Sequence, residues 1–152
     1  MAFSSILTVC MGNICRSPMA AAVLADRLGR RGVHALVESA GISALVGYPA
    51  DDLAIELMAG RGLDLSGHRA RQLTPELIRS FELILVMEKD QQRAVEAILP
   101  SARGRVQRIG YRGGFDVPDP YRQGRPVFEN ALALIERGLG DLENAFWPER
   151  RG

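Results

Sequence analysis

The sequence predicts one α/β domain over residues 1–152: a doubly wound, four-stranded parallel sheet with helices on both faces. Three observations carry that expectation. Apolar runs of strand length alternate with segments of helical periodicity along the chain. Two of the runs, 3–9 and 83–87, are apolar enough for strands buried on both faces. No repeat, low-complexity linker or composition break divides the 152 residues, a length that buries roughly two-thirds of the unfolded surface.

The elements follow in order. A first strand spans about Phe3 to Val9. After a tight turn, Met19, Val23, Leu24, Arg27 and Leu28 give a helical stripe that Gly29 or Gly32 ends. Ser17 is placed to cap this helix and Pro18 to occupy its first position. Ala35 to Ser39 is a short second strand, and Ala40 to Asp51 is a loop rich in glycine and small residues. Asp51 or Asp52 caps a second helix with Leu53, Leu57 and Met58 inward and Gly60 or Gly62 as its stop. Thr74-Pro75-Glu76 starts another short helix by the same logic of cap and N1 proline.

Leu83 to Met87 is the most strand-like run, followed by a helix from Glu88 to Leu99 that Pro100 stops. Val106 to Ile109 is a weaker fourth strand. Gly110 to Gly124 is a long loop with four glycines and two prolines, and loops of that length in compact domains are usually functional. Phe128, Leu132, Ile135, Leu139, Leu142 and Phe146 form the docking face of a last helix, leaving 147–152 as a frayed tail.

Composition excludes several classes. Apolar residues make up 47% of the chain, charged residues 24%, and the net charge is +1. That is ordinary globular composition, without the bulk field that attracts nucleic acid or an anionic membrane. No run approaches the ~18 apolar residues of a membrane span. The apolar N-terminus lacks a basic flank and runs into a Gly-Asn turn, unlike a signal peptide. Two cysteines five apart cannot build a secreted disulfide framework. A cytoplasmic protein is expected.

The chemistry concentrates in Val9 to Pro18. A strand ends at Cys10, a turn containing Gly12 and Asn13 follows, and Arg16 completes a C-x5-R spacing before the helix begins. Turn amides at a helix N-terminus converge on one concavity, which attracts anions and favours a thiolate over a thiol. The Arg16 guanidinium can hold two phosphate oxygens at once. A ring of N–H donors with one arginine suits a phosphoryl transition state, whose charge spreads over three equatorial oxygens. The Ser17 hydroxyl is placed to bond the sulfur as nucleophile or leaving group. A C-x5-R match alone is common; strand, both turn formers and helix start coincide here. No GK[ST] follows, so this is not a Walker loop. Two cysteines and the distant His34 and His68 do not give zinc spacing, and no metal or cofactor is expected. Departure of an alcohol or phenol also needs a proton donor. On the residues alone, Asp116 and Asp119 in the long loop are equal candidates.

Cys10-Met11-Gly12-Asn13-Ile14-Cys15-Arg16-Ser17-Pro18 resembles the phosphate-binding loop of the low-molecular-weight protein tyrosine phosphatases, at the N-terminal position where that family keeps it. The similarity continues through Ser39-Ala40-Gly41, Ser66-Gly67-His68-Arg69-Ala70-Arg71-Gln72, Leu85-Val86-Met87-Glu88 and Asp119-Pro120-Tyr121. Ala44-Leu45-Val46-Gly47 and Asp119-Pro120-Tyr121-Arg122 are most similar to the bacterial branch acting on tyrosine autokinases of capsule and exopolysaccharide export.

The resemblance implies a phosphotyrosine protein substrate. It makes Cys10 the nucleophile of a phosphocysteine intermediate, Arg16 its oxyanion partner, and Asp119 the acid and then the base. Inorganic phosphate, vanadate or sulfate is expected in the loop. Met11, Gly12, Asn13, Ile14, Cys15, Ser17, Leu45 and Tyr121 are implied to contact substrate, while Asn13, Ser17, Ser39 and His68 hydrogen-bond the loop into shape. Cys15 is implied to form a reversible disulfide with Cys10, beside its plain reading as a small buried side chain. Leu45 and Arg122 stand where other members carry aromatics, which implies a more open, partly cationic mouth. The arginine-phosphate phosphatases of the family carry threonine where Ile14 stands, so Ile14 favours tyrosine. Rival readings are an arsenate reductase, which needs further cysteines that this chain lacks after Cys15, and a phosphotyrosine-binding module without turnover, which needs neither Cys10 nor Asp119.

Overall fold

The expected alternation of strand and helix is realised in the computed structural model, in which residues 3–149 are described. Four parallel strands, β1 (Ser5–Cys10), β2 (Leu36–Gly41), β3 (Leu83–Val86) and β4 (Val106–Arg108), lie in the order β2-β1-β3-β4. Parallel pairing requires a crossover after each strand. These are supplied by α1 (Arg16–Arg30), by α2 (Asp52–Ala59) with α3 (Pro75–Arg79), and by α4 (Lys89–Ile98), and α5 (Arg125–Phe146) closes the chain.

β1 and β3 are central, which is why their sequences are apolar on both faces. Ile6 and Cys10 of β1 face Met19 and Leu24 of α1, Met58 of α2, and Phe128, Leu132, Ile135 and Leu139 of α5. Leu7 and Val9 face the opposite way, toward Ile78 of α3 and Val95 of α4. Register pairs Cys10 with Gly41 and Val9 with Val86, so the carboxyl ends of all four strands share one edge of the sheet. The chain leaves β1 for β2 on one side and reaches β3 on the other, and ligand crevices of open α/β sheets form at such a reversal.

Helix ends obey the glycine rule where its geometry is needed. Gly32 (φ 73°) and Gly62 (φ 74°) take the left-handed conformation after α1 and α2. Beyond each, the next amide closes back on the helix, Val33 N–H to the Leu28 carbonyl and Leu63 N–H to the Met58 carbonyl, both 2.9 Å. Asp51 caps α2 through Leu53 N–H, and Thr74 caps α3 through Leu77 N–H.

Two expectations are corrected. Helix α1 begins at Arg16, so Ser17 lies inside its first turn; Cys15 holds the cap position without a side-chain bond. The Ser17 hydroxyl is engaged elsewhere, as described below. The tail does not fray from residue 147. Trp147 is 2% exposed, and its Nε1 donates to the Phe3 carbonyl at 2.9 Å. The indole also packs edge-on against Phe146 and Phe3. Pro148 and Glu149 are exposed, and 150–152 lie outside the described residues.

Candidate active site

The site forms at the carboxyl edge, where the turn 11–15 leaves β1, with Met87-Glu88 after β3 and the loop 109–124 after β4 beside it. Cys10 ends β1, 2% exposed, and its Sγ lies 2.9 Å from the Ser17 hydroxyl. Helix α1 starts at the other end of the turn, aiming its unbonded N–H groups toward the same concavity.

Asn13 keeps the turn open. It takes a left-handed conformation (φ 60°), which asparagine tolerates better than other side chains. Fully buried, it spends its amide in three directions: Nδ2 donates to Ser17 Oγ (2.8 Å) and Ser39 Oγ (3.0 Å), and Oδ1 accepts from Arg71 N–H (2.9 Å). The Asn13 carbonyl accepts from His68 Nε2 at 2.7 Å, which fixes the proton on that nitrogen. Burial pushes His68 below the ordinary histidine range, and Arg69 and Arg71 add to the shift against the opposing Asn13 bond. The implied set of Asn13, Ser17, Ser39 and His68 is therefore assembled.

The structure adds three residues to that set. The Thr8 hydroxyl donates to the Ser17 carbonyl at 2.8 Å. Arg71 bonds the Ser39 carbonyl and pairs with Glu38. Gly41 leaves room for the turn, since a Cβ there would stand 2.6 Å from the Met11 carbonyl. Buried Thr8 in an apolar strand was the one local signal. The other two act across the sheet edge.

Arg16 is 2% exposed and joins three segments. Its Nη1 donates to the Val117 carbonyl (2.8 Å) and to Glu88 Oε1, and its Nη2 lies 3.7 Å from Asp119 Oδ2. Its Nε has no hydrogen-bond partner among the described residues. A buried guanidinium N–H left without an acceptor is costly unless a ligand supplies one. The sequence alone assigns Glu88 no role at the site. Its sequence signal is a charge that follows the buried β3 and Met87.

The two aspartates, equal on sequence, are separated by their partners. Asp116 pairs with Arg108 at 2.8 Å and accepts from Lys89 N–H. Asp119 is half-exposed, has no cation closer than Arg16 among the described residues, and accepts from Tyr121 N–H at 3.1 Å. With Met11, Arg16, Ile42 and Glu88 it lines a cleft of about 330 Å³. Leu45 lies beside the turn, its N–H donating to the Gly12 carbonyl at 3.1 Å. Ile14 is buried and Met11 is 43% exposed. Tyr121 is half-buried under the Arg122 guanidinium, 5.0 Å from its ring centroid. Cys15 is buried and free, and burial pushes its thiol far above the ordinary range, with the Asp51 charge next. Among the described residues, no three His, Cys, Asp or Glu side chains are grouped to hold a metal.

The model of the family "Low molecular weight phosphotyrosine protein phosphatase" matches residues 5–150. The chain belongs to this family. A probable low molecular weight protein-tyrosine-phosphatase EpsP of Ralstonia solanacearum is 53% identical over 135 residues, covering 89% of this chain and 90% of the relative. The tyrosine phosphatase amsI of Erwinia amylovora superposes with a TM-score of 0.89 at 37% identity, covering 95% of this chain and 94% of that one. Wzb of Vibrio vulnificus, in complex with benzylphosphonate, superposes with a TM-score of 0.88 at 40% identity, over 95% and 99% of the two chains. In this phosphatase the doubly wound α/β fold thus has counterparts over nearly the whole chain. No helix of the described residues is long and apolar enough to cross a membrane.

Proposed function

We propose that this phosphatase hydrolyses phosphotyrosine in proteins through a phosphocysteine on Cys10. The observation that carries the reading is Arg16, buried between the Cys10 turn and the Asp119 loop with an Nε that has no acceptor. A phosphoryl oxygen is the natural acceptor there, and a second can reach Nη2 and the turn amides.

In the first step the Cys10 sulfur attacks phosphorus, the bond to the phenolic oxygen breaks, and protonated Asp119 gives its proton to that oxygen. In the second, Asp119 takes a proton from water as it attacks phosphorus, and the S–P bond breaks to release phosphate. Ser17 Oγ, 2.9 Å from Cys10 Sγ, stabilises the sulfur as it leaves. Such general acid–base assistance contributes about 10²–10⁴ in rate. The Asn13 bonds keep the turn shaped with no anion present, which is the preorganisation that electrostatic catalysis requires.

Ile14 and Tyr121 support a flat phenyl ring as the leaving group, and the exposed Arg122 supports an acidic protein surface beside it. The resemblance of Ala44-Leu45-Val46-Gly47 and Asp119-Pro120-Tyr121-Arg122 to the bacterial branch, with EpsP among the similar relatives, supports a tyrosine autokinase of exopolysaccharide production as the physiological partner, encountered in the cytoplasm. The test compares a phosphotyrosine peptide with phosphoserine and phosphoarginine peptides. Release of phosphate from the first alone, blocked by vanadate, supports the assignment; preferential release from phosphoarginine overturns it.

A further inference from the structure

We propose that Glu88 is a positioning residue for this reaction: it holds Arg16 so that Nε and Nη2, and not Nη1, face the phosphoryl group. The inference rests on the phosphotyrosine reading above and adds a residue whose work is done through Arg16.

Glu88 stands two residues beyond β3, at the cap of α4, with its side chain 34% exposed. Its backbone is fixed by the Gln91 side chain. Gln91, 3% exposed, accepts through Oε1 from Met87 N–H (2.9 Å) and Glu88 N–H (3.1 Å). The carboxylate meets Nη1 of Arg16, and the Val117 carbonyl meets the same nitrogen from the loop after β4. That loop is tied to β3 in turn, Val117 N–H donating to the Met87 carbonyl at 2.9 Å. Two acceptors on rigid supports thus fix one edge of a planar fork. A planar fork has no independent freedom left once one edge is fixed, so the remaining N–H groups are aimed by Glu88 and Val117 together.

The carboxylate has a second, opposing effect. It is a negative charge placed one guanidinium away from where a phosphate dianion binds, so it weakens ground-state binding while it orients the arginine. Removing it therefore separates the two effects. Glu88→Gln keeps an oxygen acceptor for Nη1 and removes the charge; Glu88→Ala removes both.

Steady-state kinetics on a phosphotyrosine peptide, with inhibition by inorganic phosphate, test the proposal. For Glu88→Ala, kcat falls about 10²-fold, as expected for a misaimed catalytic group, while KM and the phosphate inhibition constant fall or stay level. For Glu88→Gln, kcat stays within about threefold of wild type and the phosphate inhibition constant falls. A merely structural role for Glu88 would raise KM with the loss of kcat and would leave Gln no better than Ala. That pattern, or an unchanged kcat for Glu88→Ala, overturns the proposal. Wild-type turnover of the peptide in the same experiment reports on the phosphotyrosine reading separately.

Discussion

Asn13→Ala is the perturbation that reaches furthest into the account, because the Asn13 side chain ties the turn to α1, β2 and the segment at Arg71 at once. The substitution removes three hydrogen bonds from a fully buried side chain, at roughly 1 kcal/mol each. It also places alanine at φ 60°, which adds about 1 kcal/mol. The sum, about 4 kcal/mol, is a large share of the 5–15 kcal/mol typical of a domain, yet leaves it folded. Urea unfolding monitored by tryptophan fluorescence should show a loss of about 4 kcal/mol with an unchanged slope. Activity on p-nitrophenyl phosphate should fall by at least about tenfold in kcat/KM, since part of the loss is local to the turn. Asn13→Gly removes the same bonds without the backbone penalty, so it should recover about 1 kcal/mol of stability and little activity. If Asn13→Ala costs less than about 1 kcal/mol and turns over normally, the turn is not held by this network and the reasoning fails.

Other expectations come from single observations. Asp119→Ala should slow p-nitrophenyl phosphate far less than phosphotyrosine, because a good leaving group needs little protonation; equal slowing removes Asp119 from the acid role. Cys15 is buried with its thiol raised far above the ordinary range, so at pH 7 it is held as the unreactive thiol. In the Cys10→Ser variant, iodoacetamide should therefore label nothing until the chain is unfolded, and prompt labelling of the native variant contradicts this. Trp147→Ala should cost about 3–5 kcal/mol, measured by urea unfolding monitored by circular dichroism. A neutral effect would mean that the tail begins at 147 after all.

How much of this was legible in the sequence depended on distance along the chain. The strand–turn–helix at Cys10 was visible because sulfur, turn formers and arginine must lie within a few residues of one another. The central strands announced themselves by being apolar on both faces. The partners of the turn were less visible, since Asn13 meets Arg71, and Arg16 meets Glu88 and Val117, across large sequence separations. No periodicity records such contacts. The family resemblance implies Asp119 rather than Asp116 as the acid, and the pairing of Asp116 with Arg108, which supports that proposal, appears only in the fold. Ser17 departs from the expected cap position for a related reason. Its residue type fits a helix cap, but its hydroxyl is drawn to Cys10 and Asn13. Trp147 looked like the start of a tail because its partner, Phe3, lies at the opposite end of the chain.

The central claim is that Cys10 carries the phosphoryl group between the two steps. Acid quenching during turnover of a phosphotyrosine peptide, followed by proteolysis and mass analysis, tests it directly. The account predicts one phosphoryl group on the peptide containing Cys10, accumulating further in Asp119→Ala with p-nitrophenyl phosphate and absent in Cys10→Ser. Turnover at the wild-type rate by Cys10→Ser, or a phosphoryl group on any other residue, would contradict it.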